Sequence, residues 1–380
     1  MLHLELPKYK MIEQISKTSP EYISFSQGAV KVGGTPAEIK AHVASLLETD
    51  CCDYYQSVAG LYPLREKIAQ RLTEKFGPLF TPEHILVTHG SIGGITALCL
   101  SLLKEGDEVL LPEPTYPSYR NIILFSKGQP IFTPAFFEDK EGWMLNLDAL
   151  EHARTSRTKM LILPNPSNPC GFCLSTQDLL QLKAWGEAHG IYVVIDEVYD
   201  NYIFEAQFAS STPFVLESNY LIRTGSFSKD FAMSGWRIGF VVGSPLLITH
   251  LINIQDGTLG CPSVVGQQAA LYALAHPHLI ARQTAAVKTS RDLACSLLTP
   301  LVEQGIFSYT KPKAGIFLFL KTKELNTEEL VMRLLNQCKV ALVPGTDFGN
   351  SASSYIRLCY AREEPLIEEG MRRLCRFFGG

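Results

Sequence analysis

Residues 160–199 read MLILPNPSNPCGFCLSTQDLLQLKAWGEAHGIYVVIDEVY, and their order decides the fold. Met160-Leu161-Ile162-Leu163 is an apolar strand closed by Pro164. Thr176 to Gly190 reads as a helix, with Ser175 as its N-cap and Gly190 as its C-terminal stop. Tyr192-Val193-Val194-Ile195 is a second apolar strand. A strand apolar on both faces belongs inside a sheet that helices cover on each side.

The same alternation runs outward in both directions. Toward the N-terminus, Ile85-Leu86-Val87-Thr88 is a strand, Ile92 to Leu103 a helix, Val109-Leu110-Leu111 a strand, Ser118 to Ser126 a helix and Gln129 to Thr133 a strand. Toward the C-terminus, Tyr220 to Arg223 and Ile238 to Val242 are strands. This predicts an α/β fold, with a three-layer αβα large domain on a mostly parallel sheet. After a long helical stretch, about 276–305, the pattern changes. Ile316 to Leu320, Ala341 to Val343 and Tyr355 to Leu358 read as strands, and 327–337 and 365–378 as helices. That is a smaller α+β domain. The expected division is 41–279 for the large domain, and 1–40 together with 280–380 for the small one.

Composition narrows the function classes. The chain has 380 residues, with 34 Lys and Arg against 38 Asp and Glu, a net charge of −4. No large basic surface is forced, so nucleic acid is not an expected partner. Hydrophobic residues make up 46% and charged residues 19%, which is globular rather than disordered composition. No apolar run approaches the ~20 residues of a membrane helix, and no N-terminal stretch suits a signal peptide. Ten scattered cysteines in a chain this long read as thiols, and the expected compartment is the cytoplasm. Cys170 and Cys173 make a lone C-x-x-C; without a second pair at ligand spacing, loop thiols are the preferred reading and no metal is expected.

In an open parallel sheet, ligands bind beyond the carboxyl ends of the strands. The residues just after each strand are therefore informative. Asp196-Glu197-Val198-Tyr199 can present a carboxylate and a phenol to one pocket, although Asp196 alone could simply cap a helix. Thr224-Gly225-Ser226-Phe227-Ser228-Lys229, then Gly235-Trp236-Arg237, offers hydroxyls and an Arg fork for a phosphate and a Lys able to form an imine. His89-Gly90-Ser91-Ile92 opens a helix whose free N–H groups favour an anion. It matches neither G-x-G-x-x-G nor G-x-x-x-x-G-K-[ST]. Asn165-Pro166-Ser167-Asn168-Pro169 is a rigid turn that can hold an Asn over the strand ends. Tyr116, between Pro114 and Pro117, can stack on a flat ring or serve as a core aromatic. Arg357 sits inside an apolar strand and needs a carboxylate from the protein or from a substrate. Together these groups suit pyridoxal phosphate acting on an amino acid.

At these residues the chain resembles the class I/II aminotransferases of the aspartate-aminotransferase fold family. The run Ser226-Phe227-Ser228-Lys229 to Gly235-Trp236-Arg237, the run Asn165-Pro166-Ser167-Asn168-Pro169-Cys170-Gly171, and Asp196-Glu197-Val198-Tyr199 between them carry the resemblance, which spans about 24–378. It implies pyridoxal 5'-phosphate as cofactor and transfer of an amino group between an L-amino acid and a 2-oxo acid by a ping-pong route. It implies Lys229 as the imine-forming proton shuttle and Asp196 as partner of the pyridinium nitrogen. Tyr199 and Asn168 would bond the ring's phenolic oxygen, and Tyr116 would stack on the ring. Ser226, Ser228, Arg237 and the backbone at Ser91 and Ile92 would hold the phosphate. Arg357 would take the substrate α-carboxylate beside Gly28. Tyr55 would reach a neighbouring subunit's site, which implies a homodimer.

The pattern departs from the family in three places. Cys170 stands where Thr is usual. Val30-Lys31-Val32 replaces an acidic-aromatic loop that often lines the side-chain pocket. No Lys or Arg occurs between Arg237 and Arg282, where dicarboxylate-specific members carry a further Arg, and Asp256 in that stretch could instead favour a cationic side chain. These departures imply a broad amino-acid specificity. The same residues would also serve a β-lyase or a cyclising enzyme on this cofactor. A non-catalytic binding domain is the remote alternative.

Overall fold

The computed structural model describes residues 7–140, 142–324 and 326–379. Its centre is a seven-stranded sheet. From edge to edge the strands are Ile85–Thr88, Gly239–Val242, Leu221–Ser226, Tyr192–Asp196, Thr158–Pro164, Glu108–Pro112 and Gln129–Thr133. All neighbours pair in parallel except Gly239–Val242, which is antiparallel to both of its neighbours. Six strands therefore end on the same side of the molecule. Four of the seven strands are buried at every position and two more at all but one, and only the edge strand Gln129–Thr133 is substantially open. This is the burial that continuous Val, Ile and Leu runs require.

The reversed strand has a local cause. Ser226 lies opposite Gly239, and Gly239 lies opposite Thr88. A parallel return would need a full crossover of a dozen or more residues. Here the segment 227–238 instead stays at the strand ends and folds into the turns that carry Lys229 and Arg237. The expected helix 176–190 is present as Thr176–His189. Ser175 and Asp178 form a capping box, and Gly190 takes φ 63° after the last turn.

A four-stranded antiparallel sheet is built from Phe307–Ser308, Phe317–Thr322, Tyr355–Cys359 and Val343–Pro344. Its core includes Ile12, Ile23, Phe25 and Val30 from the N-terminal segment, and Ile367, Met371 and Leu374 from the last helix, Glu364–Gly379. Ile23–Ser24 pairs in parallel with Val340–Ala341. The expected single strand 341–343 is thus divided. Val340–Ala341 pairs with the N-terminal segment, Leu342 is buried between, and Val343–Pro344 turns to Tyr355–Cys359. A buried segment whose two ends pair with different partners leaves no pattern that distinguishes it from one strand. Helices Lys8–Ser16, Ala37–Leu46, Tyr62–Phe76, Pro245–Asp256 and Val264–Ala275 lie outside the elements that the sequence pattern predicts.

Candidate active site

The ends of the parallel strands face the smaller sheet across a cavity of about 440 Å³. Its walls bring together Gly28, Ser91, Ile92, Tyr116, Asn168 and Asp196 with Tyr199, Ser226, Ser228, Lys229, Arg237 and Arg357. Tyr55 is not among them; it is 98% exposed.

Asp196 ends its strand and is buried. Thr224 is its partner across the sheet, and side chains directly opposite share a face. The Thr224 hydroxyl donates to Asp196 Oδ1 at 2.6 Å, and the Tyr119 hydroxyl donates to Oδ2 at 2.7 Å. Burial raises the carboxyl above its usual range, while these two donors and the charge of Lys229 hold it down. The site thus keeps a desolvated acid that two neutral donors stabilise as the anion.

Lys229 sits in a single turn, Phe227–Asp230, begun by the Ser226 hydroxyl, which accepts from the Ser228 N–H at 3.1 Å. Its Nζ donates to the Gly28 carbonyl, 201 positions away in sequence, and lies 5.8 Å from the centre of the Tyr199 ring. Burial pushes this ammonium down to about 8, with Arg357 and Arg237 pushing the same way and Asp196 opposing them. An amine so adjusted is neutral in roughly a tenth of molecules at pH 7, far more than an ordinary lysine, and the neutral form is the one a nucleophile or base needs. Gly28 itself packs closely on the Phe317 ring: a Cβ there would meet Phe317 Cζ at 2.9 Å.

At the other end, the helix Gly90–Leu102 points its free N–H groups into the cavity. Arg237 crosses that end. Its Nη2 bonds the His89 carbonyl at 3.3 Å, and its Nη1 lies 3.5 Å from Ser228 Oγ and 2.9 Å from the Ser234 carbonyl. A Cβ on Gly90 would lie 2.5 Å from Arg237 Nη2, and Gly90 has φ 73°. Bare backbone at this point leaves a cup of N–H groups and a guanidinium, which matches a phosphate dianion.

Arg357 is buried in the strand Tyr355–Cys359. Its Nη1 donates to Asn168 Oδ1 at 3.1 Å and its Nη2 to the Ser26 carbonyl at 2.6 Å; its Nε has no partner among the described residues. Its guanidinium lies 4.3 Å from the centre of the Phe317 ring and 4.8 Å from that of Phe348. No carboxylate pairs with it among the described residues. A desolvated cation without an internal anion is a site for an external one. Burial also raises two phenols at the cavity, Tyr116 to about 12 and Tyr199 well above its ordinary value, so both remain neutral.

The departures resolve differently from one another. The Val30-Lys31-Val32 loop does not line the cavity. Val30 and Val32 join the core of the smaller sheet, and Val32 O accepts from Gln283 Nε2 at 2.6 Å. Asp256 is exposed at the end of its helix, away from the cavity. The mouth is formed instead by Tyr9, Lys10 and Glu13 of the helix Lys8–Ser16, with Gln27. That helix is tied down by Asp347, whose carboxylate accepts from the N–H groups of Lys8 at 3.0 Å and Tyr9 at 2.6 Å. Tyr119 and this N-terminal helix are site elements the motifs do not indicate; Thr224 heads a run the motifs do indicate, but its bond to Asp196 is not among their implications. For Thr224 the strand register is the available signal.

The buried amine, the phosphate cup, the shielded acid and the unpaired guanidinium fit pyridoxal 5'-phosphate with an amino acid beside it. Comparisons agree with the chemistry. The family model for aminotransferase class I and II matches residues 20–374. The aspartate aminotransferase of Pyrococcus abyssi is 31% identical over 347 residues, covering 90% of this chain and 87% of the relative. Aromatic-amino-acid aminotransferase 2 of Thermococcus litoralis is 28% identical, again across 90% of this chain and 87% of the relative. The solved aspartate aminotransferase of Thermus thermophilus with maleate superposes with a TM-score of 0.89 at 26% identity, covering 98% of this chain and 97% of that one. Fold and site define a pyridoxal-phosphate enzyme of the aspartate-aminotransferase fold. The chain belongs to the class I and II aminotransferases, and it is a transaminase.

Proposed function

We propose that the enzyme works by two half-reactions of ping-pong form, in which an L-amino acid leaves its amino group at the site and a 2-oxo acid collects it. Bound in the cavity, pyridoxal 5'-phosphate supplies an aldehyde for the amine and a cationic ring that stores the electron pair left when Cα loses its proton. Lys229 Nζ removes that proton and redelivers it, a task its lowered basicity supports. The Asp196 carboxylate would hold the proton on the ring nitrogen. Asn168 Oδ1 is engaged by Arg357, so its Nδ2 would be the group to donate to the ring's phenolic oxygen, as would the Tyr199 hydroxyl. Tyr116, on the wall of the same cavity, would stack on the ring. The N–H groups at Ser91 and Ile92, with Ser226, Ser228 and Arg237, take the phosphate. Arg357 takes the α-carboxylate next to Gly28.

The working unit is a homodimer in which Tyr55 completes the partner's phosphate site. Its support is the exposure of three tyrosines close together in sequence, with Tyr55 98%, Tyr54 68% and Tyr62 55% accessible. All ten cysteines are free thiols, which suits the reducing cytoplasm.

The observation that carries the reading is the Lys229 amine on one cavity with the buried Asp196 carboxyl and the buried Arg357 guanidinium, and burial lowers the basicity of that amine. Lys229→Ala should abolish both the imine absorbance and turnover with every donor. Turnover at the wild-type rate in that variant would remove the reading. A panel of amino donors against 2-oxoglutarate and pyruvate then fixes the substrates.

A further inference from the structure

The turn after Asp196 and Tyr199 continues into Asp200, Asn201 and Tyr202, and this continuation meets the Lys229 turn from behind the cavity. Tyr202 is fully buried and makes three bonds in three directions. Its N–H donates to the Tyr199 carbonyl at 2.9 Å. Its carbonyl accepts from the Gly315 N–H at 2.9 Å, just before the strand Phe317–Thr322. Its hydroxyl donates to the Lys229 carbonyl at 2.6 Å. One residue thus touches the turn of Tyr199, the turn of the reacting amine, and the start of the strand whose Phe317 packs on both Tyr199 and Arg357.

A second bond runs beside the first. Asn201 Nδ2 donates to Asp230 Oδ2 at 2.8 Å, and Asn201 Oδ1 faces Arg71 Nη2 at 3.4 Å. Asp230 is next to Lys229 in sequence but faces away from it, into a separate cavity of about 30 Å³. Its Oδ1 is buried and has no partner among the described residues, so Asn201 supplies its hydrogen-bond anchor. The Asn201 carbonyl is itself held by the Thr284 hydroxyl at 2.9 Å, from the long helix His278–Glu303.

We propose that Tyr202 and Asn201 form a clamp that fixes the Lys229–Asp230 turn to the Asp196–Tyr199 turn, and so are positioning residues for the Lys229 amine. The packing of a core tyrosine needs only its ring. The phenol oxygen sits 2.6 Å from a backbone carbonyl belonging to the residue whose side chain must reach the substrate. Burial keeps that phenol protonated and able to donate. Placement of a reacting group matters steeply: an error of about 1 Å can cost about a hundredfold in rate.

Tyr202→Phe removes one oxygen and leaves the ring in the core. The clamp predicts that kcat per bound cofactor falls about tenfold while the donor KM moves less than about twofold. It also predicts a larger isotope effect with an α-deuterated donor. In the cofactor-free protein, acetic anhydride labelling of Lys229 across pH should show its midpoint rising toward the ordinary lysine range as the amine gains freedom to reach water. Asn201→Ser should move both readouts in the same direction by less, and it carries the labelling test if Tyr202→Phe does not fold. A Tyr202→Phe enzyme with the wild-type kcat and the wild-type labelling midpoint would overturn the clamp. So would one that only melts earlier, with kcat per bound cofactor unchanged. The proposal rests on Lys229 being the reacting amine, but the labelling midpoint does not depend on turnover. Failure of the Lys229→Ala test and failure of the clamp are therefore read separately.

Discussion

Arg357 is buried in an apolar strand with one guanidinium nitrogen idle, between two phenylalanine rings. The strand run makes this Arg conspicuous, because a charge inside continuous apolar sequence must find an anion somewhere. A charge-assisted hydrogen bond contributes roughly 1.5–3 kcal/mol, so Arg357→Ala should raise the donor KM about ten- to a hundredfold. Steady-state kinetics with a fixed acceptor measures this, and an unchanged KM would assign the α-carboxylate elsewhere. Tyr119 is not conspicuous: it is one aromatic among several, and its hydroxyl reaches a residue 77 positions away. Burial raises the Asp196 carboxyl, and the Tyr119 donor opposes that rise. Tyr119→Phe should therefore move the carboxyl further up. The acid limb of the half-reaction's pH–rate profile, read by cofactor absorbance, should shift to higher pH, since the anion is the form that holds the ring proton.

The helix that opens at Gly90 and the turn that carries Arg237 meet at one point. Gly90 has φ 73° and Arg237 has φ 60°, so both use the left-handed region, which a non-glycine residue enters at a cost of about 1–2 kcal/mol. A side chain at position 90 would be strained and would strike the guanidinium. Gly90→Ala should raise the cofactor dissociation constant at least about tenfold through the lost phosphate bonds. Binding of pyridoxal, which lacks the phosphate, should hardly change. Fluorescence titration of the cofactor-free protein with both ligands decides it; equal losses would argue for general unfolding. Elements with local signals are legible in the sequence. Ser175 and Asp178 cap a helix within four residues, and the expected Gln129–Thr133 strand is the observed one. The helix Lys8–Ser16 has no such cap. Asp347 satisfies its first N–H groups from more than 330 positions away, and no local pattern could reveal that.

The molecule buries several carboxyls at or behind the cavity. Burial raises Asp196, Glu197 and Asp230, and the charge of Asp200 adds to the rise at Asp230. For a raised acid the folded state holds more protons than the unfolded one. Its contribution to stability is complete below the unfolded value, about 4, and is lost as pH climbs through the folded value. Asp230→Asn removes this loss for one group. Its urea midpoint should gain on the wild type as pH rises from about 5 to 8, and a gain that shrinks over that range would contradict the account. Cofactor binding acts on the whole molecule too: at a hundred times its dissociation constant it should add about 2.7 kcal/mol to unfolding stability, measured by denaturant titration with and without it. Strand runs, helix caps and the residue types beyond each strand can all be read along the chain, because alternation and capping act over a few neighbours. The order of strands, the division at Leu342 and the meeting of Gly28 with Lys229 cannot. They depend on which segments pair and pack across hundreds of residues, where burial and hydrogen bonding are shared between parts that carry no local mark of one another.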